Sequence, residues 1–288
     1  MNVPDIKLFV CCHQETKVPK HPLLLPIQVG AALADHHFFG FLYDDTGENI
    51  SWKNRSYCEL TAQYWAWKNV EAHYYGFFHY RRYLYPEPAA KLPYRIEKEP
   101  SLQLLDKLGY SKFAELIRRH DLIVPKGENM YVSVREHYAN APYHHYKDLR
   151  LVEEIIQERS PEMVKAMEEY LSGTICYFGN IYIMRREVFQ DYCAWLFPIL
   201  AEFDRRADTT NYSLQEQRVD GYLAERLFGV YITAMKAKSH YQILEIPRLH
   251  LMSTNYRKQC FVNMLLPPST YRRHVIKKFQ KYLNSASL

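Results

Sequence analysis

Short apolar runs alternate along the chain with amphipathic stretches. Each run has the length and the β-branched or aromatic content of a buried strand. These runs span residues 6–12, 38–42, 74–80, 121–125, 174–184 and 242–246. Between them, apolar residues recur at helical spacing, most regularly at Val188, Tyr192, Trp195 and Ile199, which share one stripe. Alternating strands and helices predict an α/β fold with a mostly parallel central sheet flanked by helices.

Local signals predict where helices and loops begin. Ser56 and Glu59 are spaced as a capping box, in which the two side chains satisfy free N–H groups at the start of a helix. Ser133 and Glu136 repeat this spacing. The prolines within residues 19–26 predict a loop after the first apolar run.

The composition is ordinary for a folded globular protein. Of the 288 residues, 48% are hydrophobic and 24% are charged, which excludes disorder, collagen and coiled coil as overall descriptions. The six cysteines include no C-x-x-C pair, which argues against a zinc site. The first residues lack the features of a signal peptide, and no apolar run approaches the ~18 residues of a transmembrane helix. We therefore expect a cytoplasmic protein with reduced thiols.

Positive charge is concentrated at the carboxyl end. The net charge is +5, and residues 246–288 contain eight Lys or Arg and no Asp or Glu, so residues 1–245 carry about −3 (+5 less the eight). The negative charge of residues 1–245 and the lack of a known nucleic-acid-binding motif argue against nucleic acid as a partner. Four apolar residues recur among the basic ones about every four positions: Tyr271, Val275, Phe279 and Leu283. Such a helix would dock on an anionic membrane surface, or pack its stripe on the rest of the protein or on a second copy.

The polar loop after the second apolar run offers chemistry for binding a sugar. Asp45, Thr46, Asn49 and Ser51 supply a carboxylate, hydroxyls and an amide, which can bond the hydroxyls of a ribose or another sugar. The same composition also suits a plain polar turn whose side chains bond its own backbone. The chain has neither a G-x-G-x-x-G sequence nor a Walker loop, which argues against dinucleotide-binding and P-loop enzymes.

The segment 79–83, His-Tyr-Arg-Arg-Tyr, ends a predicted strand, and ligands of parallel sheets bind beyond the carboxyl ends of the strands. Arg81 and Arg82 can neutralise a diphosphate through forked hydrogen bonds. His79 can bond a phosphate oxygen, transfer a proton or bind a metal. Strand alternation would turn Arg82 away from the face that His79 and Arg81 share, unless the strand has ended by then. A surface ion-pair cluster is the alternative interpretation.

Two acids, Asp220 and Glu225, lie in an otherwise apolar helical stretch. A carboxylate beside a pocket can take a proton from a hydroxyl, whereas an ordinary surface acid would pair with a basic neighbour. His137, His144 and His145 are close in sequence, but no carboxylate completes a metal triad. Satisfied or solvent-facing histidines are therefore favoured over a metal site.

Several motifs together resemble one known family, the bacterial capsule and exopolysaccharide glycosyltransferases long described as a domain of unknown function. Among them are Asp-Thr-Gly-Glu-Asn-Ile-Ser at 45–51 and Gly-Phe-Phe-His-Tyr-Arg-Arg-Tyr at 76–83. The other matching segments are 26–30, 58–61, 64–69, 121–125, 180–184 and 225–228. All occur in the family's order, and the resemblance extends over most of the chain.

The resemblance implies a GT-A-like nucleotide-sugar-binding fold. It also implies transfer of a sugar from a nucleotide-diphosphate donor, UDP-linked and with galactofuranose as one candidate sugar, to a growing, lipid-linked glycan. Residues 1–250 would form the glycosyltransferase domain. Residues 251–288 would form a basic tail whose amphipathic helix holds the enzyme at the inner face of the plasma membrane. A non-catalytic carbohydrate-binding or membrane-binding protein is the alternative.

This hypothesis gives roles to individual residues. The residues expected to hold the nucleoside or the sugar are Asp45, Thr46, Asn49, Ser51 and Glu59. His79, Arg81 and Arg82 would face the diphosphate. Glu225, favoured over Asp220 by the family pattern, would be the base if the reaction inverts, and a retaining reaction would need none. The Asp-x-Asp metal signature of GT-A enzymes is missing, so we expect no required cofactor, with Mn²⁺ or Mg²⁺ as the alternative and the metal ligands unknown.

Overall fold

The computed structural model describes residues 5–252, 254–276 and 279. The strands are β1 (Ile6–Cys12), β2 (Leu24–Gln28), β3 (Leu42–Tyr43), β4 (Tyr74–His79), β5 (Arg82–Leu84), β6 (Tyr94–Glu97), β7 (Leu122–Pro125), β8 (Glu128–Asn129), β9 (Ile175–Cys176), β10 (Tyr182–Arg185), β11 (Ile243–Ile246) and β12 (Arg248–Leu251). The α-helices are α1 (Asn54–Tyr57), α2 (Leu60–Asn69), α3 (Leu102–Lys107), α4 (Phe113–Ile117), α5 (Val134–Asn140), α6 (Tyr146–Arg159), α7 (Val164–Ser172), α8 (Arg186–Arg206), α9 (Val219–Ala237) and α10 (Tyr256–Leu265).

One large sheet organises the fold. Its main path has the strand order β3-β2-β1-β4-β10-β7-β11. Strand β10 runs antiparallel to both of its neighbours, and the other pairs on this path are parallel. Strand β5 turns back beside β4 and pairs with β12, which also pairs with β6. The prediction of an α/β fold with a mostly parallel central sheet is confirmed.

The sheet separates two apolar cores, because successive side chains of a strand point to opposite faces. Phe9 and Phe77 belong to the core that α2, α8 and α9 cover. Leu8 and Phe78 belong to the opposite core, which α3 and α4 cover. The helices therefore flank the sheet on both faces, as the alternation of elements predicts.

Strand β2 lies in the segment whose prolines predict a loop. Val29, just after β2, donates its N–H to the carbonyl of Cys12 at 3.0 Å, so every second residue here bonds to β1. Pro26 belongs to the alternate set of residues, so the N–H that proline lacks would point towards β3. Strand β3 begins only opposite Ile27, so it offers no partner beside Pro26. A proline is tolerated at such an unpaired position. The prediction of a strand at 38–42 is wrong, since only its last residue belongs to one.

The two predicted capping boxes have different outcomes. Ser133 caps α5 as expected, because its hydroxyl accepts the N–H of Glu136 at 3.0 Å. The prediction of a capping box at Ser56 is wrong. Cys58 has a φ of +51°, which ends the short helix α1, and α2 begins only after it. The hydroxyl of Ser56 bonds to Asp220 instead.

The described residues beyond β12 lie against the segment around β8. The N–H of Asn129 donates to the hydroxyl of Ser269 at 2.6 Å, and the hydroxyl of Tyr131 donates to the carbonyl of Ser269 at 3.0 Å. Tyr271, in a helical segment that begins there, is 64% exposed, and Leu283 of the predicted stripe lies outside the described residues. The amphipathic tail and the division at residue 250 stay predictions. Within the described ranges, no helix combines the length and the apolar character needed to cross a membrane.

A glycine allows α7 and α9 to pack closely. A Cβ added to Gly229 on α9 would lie 1.9 Å from the ring of Tyr170 on α7. That ring is buried, and its hydroxyl accepts the N–H of Tyr177 at 3.4 Å. Any side chain at this position therefore has to displace the ring of Tyr170.

We expect Gly229→Ala to lower the free energy of unfolding by about 1–3 kcal/mol, the usual cost of overpacking. This cost acts against the gain of ~1 kcal/mol in helix propensity. Urea unfolding measures the difference. Thr233→Ala is the matched control, because it removes a methyl group and a hydroxyl that bonds within the same helix, at 2.9 Å from the carbonyl of Gly229. A Gly229→Ala variant as stable as the wild type would show that Tyr170 repacks without cost.

Candidate active site

A cleft opens at the carboxyl ends of β1, β2 and β4, the edge where parallel sheets bind their ligands. The near cavity, of about 400 Å³, is lined at the ends of β1 and β2 by Cys11, His13 and Val29. The far cavity, of about 560 Å³, is lined on its outer side by Tyr94, Phe178, Arg226, Arg248 and His250. Four residues line both cavities and form a common wall between them: Cys58, Glu59, His79 and Arg218. The two cavities therefore adjoin and form one cleft.

A tight hairpin brings the predicted diphosphate-binding residues to this wall. Strand β4 ends at His79, Tyr80 and Arg81 form the turn, and β5 begins at Arg82, directly opposite His79. His79, Arg81 and Arg82 consequently all line the far cavity. The prediction that alternation turns Arg82 away is wrong, because the strand ends before it.

His79 is a neutral hydrogen-bonding group in this setting. Burial, and then the charges of Arg82 and Arg81, lower the pKa of His79 to about 3. Its Nδ1 accepts the N–H of Arg81 at 3.2 Å, so the hydrogen of the neutral ring is on Nε2. Such a ring can donate a hydrogen bond to a phosphate oxygen at neutral pH.

One turn that the sequence analysis missed holds two carboxylates beside the wall. Between β9 and β10, φ is +99° at Gly179 and +48° at Asn180. The N–H of Gly179 donates to Oε1 of Glu225 at 2.7 Å. The side-chain amide of Asn180 donates to Oε1 of Glu59 at 3.0 Å and to the carbonyl of Gly221 at 3.1 Å. The available signal was a Gly-Asn pair inside a run otherwise predicted as a strand.

Both carboxylates line the far cavity. Burial raises the pKa of Glu59, although the hydrogen bond from Asn180 acts in the opposite direction. The side chain of Glu225 is 18% exposed, and its Oε2 lies 3.6 Å from Nη1 of Arg226. A partly exposed carboxylate at the edge of a cavity can accept a proton from a hydroxyl bound there.

Three further arginines line the cleft, and the sequence analysis gave none of them a role: Arg218, Arg226 and Arg248. The last two are each only 2% exposed. Arg248 forms an ion pair with Glu128 and donates from Nη1 to the carbonyl of Phe178 at 3.2 Å. An arginine within an apolar helix or strand was the signal that could have identified both buried residues, because a charge in such a position needs a partner or a function.

The loop predicted to hold the nucleoside lies outside both cavities. Asp45 contacts His37 at 2.8 Å, and Trp65 donates to the hydroxyl of Thr46 at 2.9 Å. The amide of Asn49 donates to the carbonyl of Asp45 at 3.0 Å. These side chains are bonded to other parts of the protein or to the loop itself, and a donor-binding role for them stays a prediction.

Ser51 supports the cleft from behind. It is buried, and its hydroxyl bonds the carboxylate of Asp44 at 2.5 Å. That carboxylate accepts the N–H groups of Gly30 at 2.8 Å and Ala31 at 3.0 Å. The pair thereby fixes the backbone that follows Val29, a residue of the near cavity.

Asp220 is separated from the cleft. It is 1% exposed, bonds Ser56, and lines a distinct cavity of about 170 Å³ together with Asp204. Burial, and then the charge of Asp204, raise the pKa of Asp220 well above its ordinary value. Of the two acids predicted on this helix, the structure brings Glu225 to the cleft and leaves Asp220 in the protein interior.

The side chains that line the cleft do not form a site for a divalent cation. In the part of the chain that the structure describes, no three His, Cys, Asp or Glu side chains are grouped so that they could hold a metal. The carboxylates of the far cavity, Glu59, Glu128 and Glu225, are each bonded to a different partner. A hard cation needs several oxygens around one point. A reaction without a metal stays a prediction.

Comparisons with known proteins identify a family and a solved structure of similar fold. The model of the family described as Domain of unknown function (DUF4422) matches residues 7–237. The chain belongs to this family. Among solved structures, the bifunctional glycosyltransferase WbbM in its apo form is similar, with a TM-score of 0.81 and 30% identity over 86% of this chain and 45% of the WbbM chain. No curated protein matches the chain. The family resemblance and the fold class predicted from the motifs are confirmed.

We expect the ring of His79 to stay neutral in the free protein well below its ordinary pKa. The unfolded chain takes up this proton near pH 6.5. The folded site does so only near pH 3, so this group reduces stability as the pH falls from about 6.5 towards 3. Histidine NMR measures the titration, with the signal assigned by its loss in His79→Gln. Bound UDP should raise the midpoint by neutralising the arginines. A midpoint near 6.5 without ligand would contradict the burial of this ring.

Proposed function

We propose that this protein is a glycosyltransferase. It moves a sugar from a nucleotide-diphosphate donor, UDP-linked and with UDP-galactofuranose as a candidate, to a growing, lipid-linked capsular or exopolysaccharide glycan. The observation that carries the proposal is the convergence of Arg81, Arg82, Arg218 and the carboxylate of Glu225 on one cleft at the carboxyl edge of the sheet. The similarity to WbbM supports the class of reaction. Because this chain spans only 45% of WbbM, only that class is carried over.

The donor lies across the two cavities in this proposal. The nucleoside occupies the near cavity, and the diphosphate crosses the common wall between them. Arg81, Arg82 and Arg218 face its oxygens there, and Nε2 of His79 donates a hydrogen bond. As the glycosidic bond breaks, negative charge grows on the leaving nucleotide, and fixed cations stabilise that charge without a metal ion.

The sugar and the acceptor occupy the far cavity. In an inverting reaction, Glu225 takes the proton of the acceptor hydroxyl. The oxygen of that hydroxyl forms the new bond to the anomeric carbon, and the nucleotide diphosphate leaves with the electron pair of the old bond. The N–H of Gly179 orients the carboxylate for this step. A retaining reaction would not use Glu225 in this way.

Nucleotide binding and turnover test the proposal. Thermal unfolding is followed with excess UDP, GDP, CMP and TDP, since a ligand of the native state raises the midpoint. Slow release of free nucleotide from a panel of nucleotide sugars then reports catalysis. Both are expected to persist in excess EDTA. Loss under EDTA that Mn²⁺ reverses would contradict the metal-free reaction. If neither thermal stabilisation nor nucleotide release is observed, the alternative of a non-catalytic carbohydrate-binding or membrane-binding protein is favoured.

Removing either arginine of the hairpin should weaken nucleotide binding. Arg81→Ala and Arg82→Ala each lose a charge-assisted pair worth about 1.5–3 kcal/mol, which lowers the affinity for UDP roughly 10- to 100-fold in calorimetry. Arg185→Ala is the matched control, because this arginine forms its ion pairs with Asp121 and Glu187, away from the cleft. Wild-type affinity in both hairpin variants would place the diphosphate elsewhere.

Glu225→Gln keeps the shape of the side chain and removes the base. Turnover should fall by about 10²- to 10⁴-fold while UDP affinity stays unchanged. The control is Asp220→Asn, which lies outside the cleft and should leave turnover per folded molecule unaffected. Near-normal turnover in Glu225→Gln would exclude this residue as the base and favour a retaining reaction.

We also propose that the basic tail docks on an anionic membrane surface, where a lipid-linked acceptor would be found. Each basic residue near such a surface contributes ~1 kcal/mol at most, which gives reversible binding. The full chain should sediment with anionic vesicles at low salt and not at high salt. The triple variant Lys277→Gln, Lys278→Gln, Lys281→Gln should lose most of this binding, whereas Lys107→Gln should not. Equal binding by the triple variant would refute the membrane role.

A further inference from the structure

The far cavity continues beyond the groups that the proposed reaction uses. Its far end is formed by two buried residues, Arg226 on α9 and Arg248 on β12, which we name the buried arginine pair. Both lie against the same ring, with their guanidinium carbons 5.4 Å and 5.8 Å from the centre of Phe178. The pair comes from elements far apart in the chain and meets only at this cavity.

The pair does not use all of its hydrogen-bond donors. Among the described residues, Nε and Nη1 of Arg226 and Nε of Arg248 have no hydrogen-bond partner. A buried donor without a partner is costly, so a folded protein rarely keeps several of them. A guanidinium presents its N–H groups as a planar fork that matches a carboxylate or a phosphate. The unused donors indicate an oxyanion as the missing partner.

The balance of charge also favours an anion. The two acids nearby, Glu128 and Glu225, are each matched by one member of the pair. Arg82 adds a further positive charge, because β5 pairs with β12 and sets it opposite His250. In the described ranges Arg82 forms no ion pair. Burial, and then the charges of Arg248 and Arg82, lower the pKa of His250 to about 2, so the field at this end is positive.

Aromatic faces complete the far end. Tyr94 stacks on His250 with ring centres 4.3 Å apart, and Tyr222 stacks on His144 at 4.1 Å. All four rings line the far cavity. Flat apolar faces with a few charged groups are typical of sites for small organic ligands and suit a sugar ring better than a free ion.

This anion is distinct from the diphosphate of the donor. The charges of Arg81 and Arg218 act on His13 in the near cavity, whereas those of Arg248 and Arg82 act on His250 at the opposite end. Arg218 belongs to the common wall that the diphosphate crosses, whereas Arg226 and Arg248 line the far cavity alone. A single diphosphate that spans the wall leaves the buried arginine pair without a ligand.

We propose that the buried arginine pair is a subsite for an acidic sugar of the acceptor glycan, one that carries a carboxylate or a phosphate. The proposal rests on the proposed function, because it assigns the far cavity to the acceptor. It names a substrate class: the enzyme extends an anionic glycan and discriminates against a neutral one.

Calorimetry on the full chain with saturating UDP tests the subsite. The probes are glucuronate, glucose 1-phosphate, methyl glucoside and inorganic phosphate. The two acidic sugars should bind at least about tenfold more tightly than methyl glucoside, and the tighter of them identifies the oxyanion. Equal binding of methyl glucoside, or displacement of UDP by the acidic sugars, would overturn the proposal. Inorganic phosphate that matches glucose 1-phosphate would overturn the assignment to a sugar.

Substitutions of the buried arginine pair test whether acidic sugars are bound by the guanidinium fork or only by positive charge. Arg226→Lys and Arg248→Lys keep the charge and lose the fork, so acidic-sugar affinity should fall about tenfold while UDP affinity stays unchanged. Arg135→Lys, in an exposed ion-pair cluster, is the matched control. If a single variant fails to fold, the double variant Arg248→Gln, Glu128→Gln removes the ion pair as a unit and should show the same loss. Unchanged affinity in folded variants would overturn the subsite.

The same titrations without UDP keep this inference separate from the proposed function. If no nucleotide binds, the glycosyltransferase proposal fails. A preference for acidic sugars that depends on Arg226 would then still establish the anion subsite. If UDP binds and the acidic sugars show no preference, only the subsite fails.

Discussion

The position of Glu59, and that of the turn that holds Glu225, depend on one asparagine in the left-handed region. Asn180 donates from its side chain to Glu59 and to the carbonyl of Gly221, and its own carbonyl accepts the amide of Gln63 at 3.0 Å. Gln63 is buried and in turn accepts the hydroxyl of Tyr182 at 2.9 Å. This network joins the start of β10 to α2 and α9. Buried polar groups tolerate few other arrangements once they are paired, so the network fixes two helices against the strand that carries the turn.

The local parts of the fold could be predicted from the sequence. Strand β4, the cap at Ser133 and the long helix around Tyr192 are each set by residues close together in the chain. The errors arise where distant contacts decide. Pro26 sits in a strand because β3 starts beyond it, and Ser56 gives up its capping role because its hydroxyl bonds Asp220. No pattern within a short window contains that information.

The candidate site, like the fold, could be predicted from the sequence only in part. His79, Arg81 and Arg82 stand out in the sequence because they end an aromatic strand, although the hairpin that gathers them was not foreseen. Arg226 and Arg248 lie within apolar segments, which signals that each needs a partner or a function but does not identify either. Their significance comes from contacts across the fold, with Phe178 and Glu128, and from burial, which a single sequence does not display.

The strand that runs antiparallel to both of its neighbours on the main path of the sheet has a consequence for folding during synthesis. Strand β10 lies between β4 and β7 in space but follows both in the chain. Synthesis proceeds from the amino terminus, so β1 to β4 can assemble first, and β4 remains an open edge until residues 182–185 emerge. The walls of the cleft come from both sides of this strand. A nascent chain that stops short of it therefore lacks a complete cleft, and its aromatic edge is open to pairing with another chain.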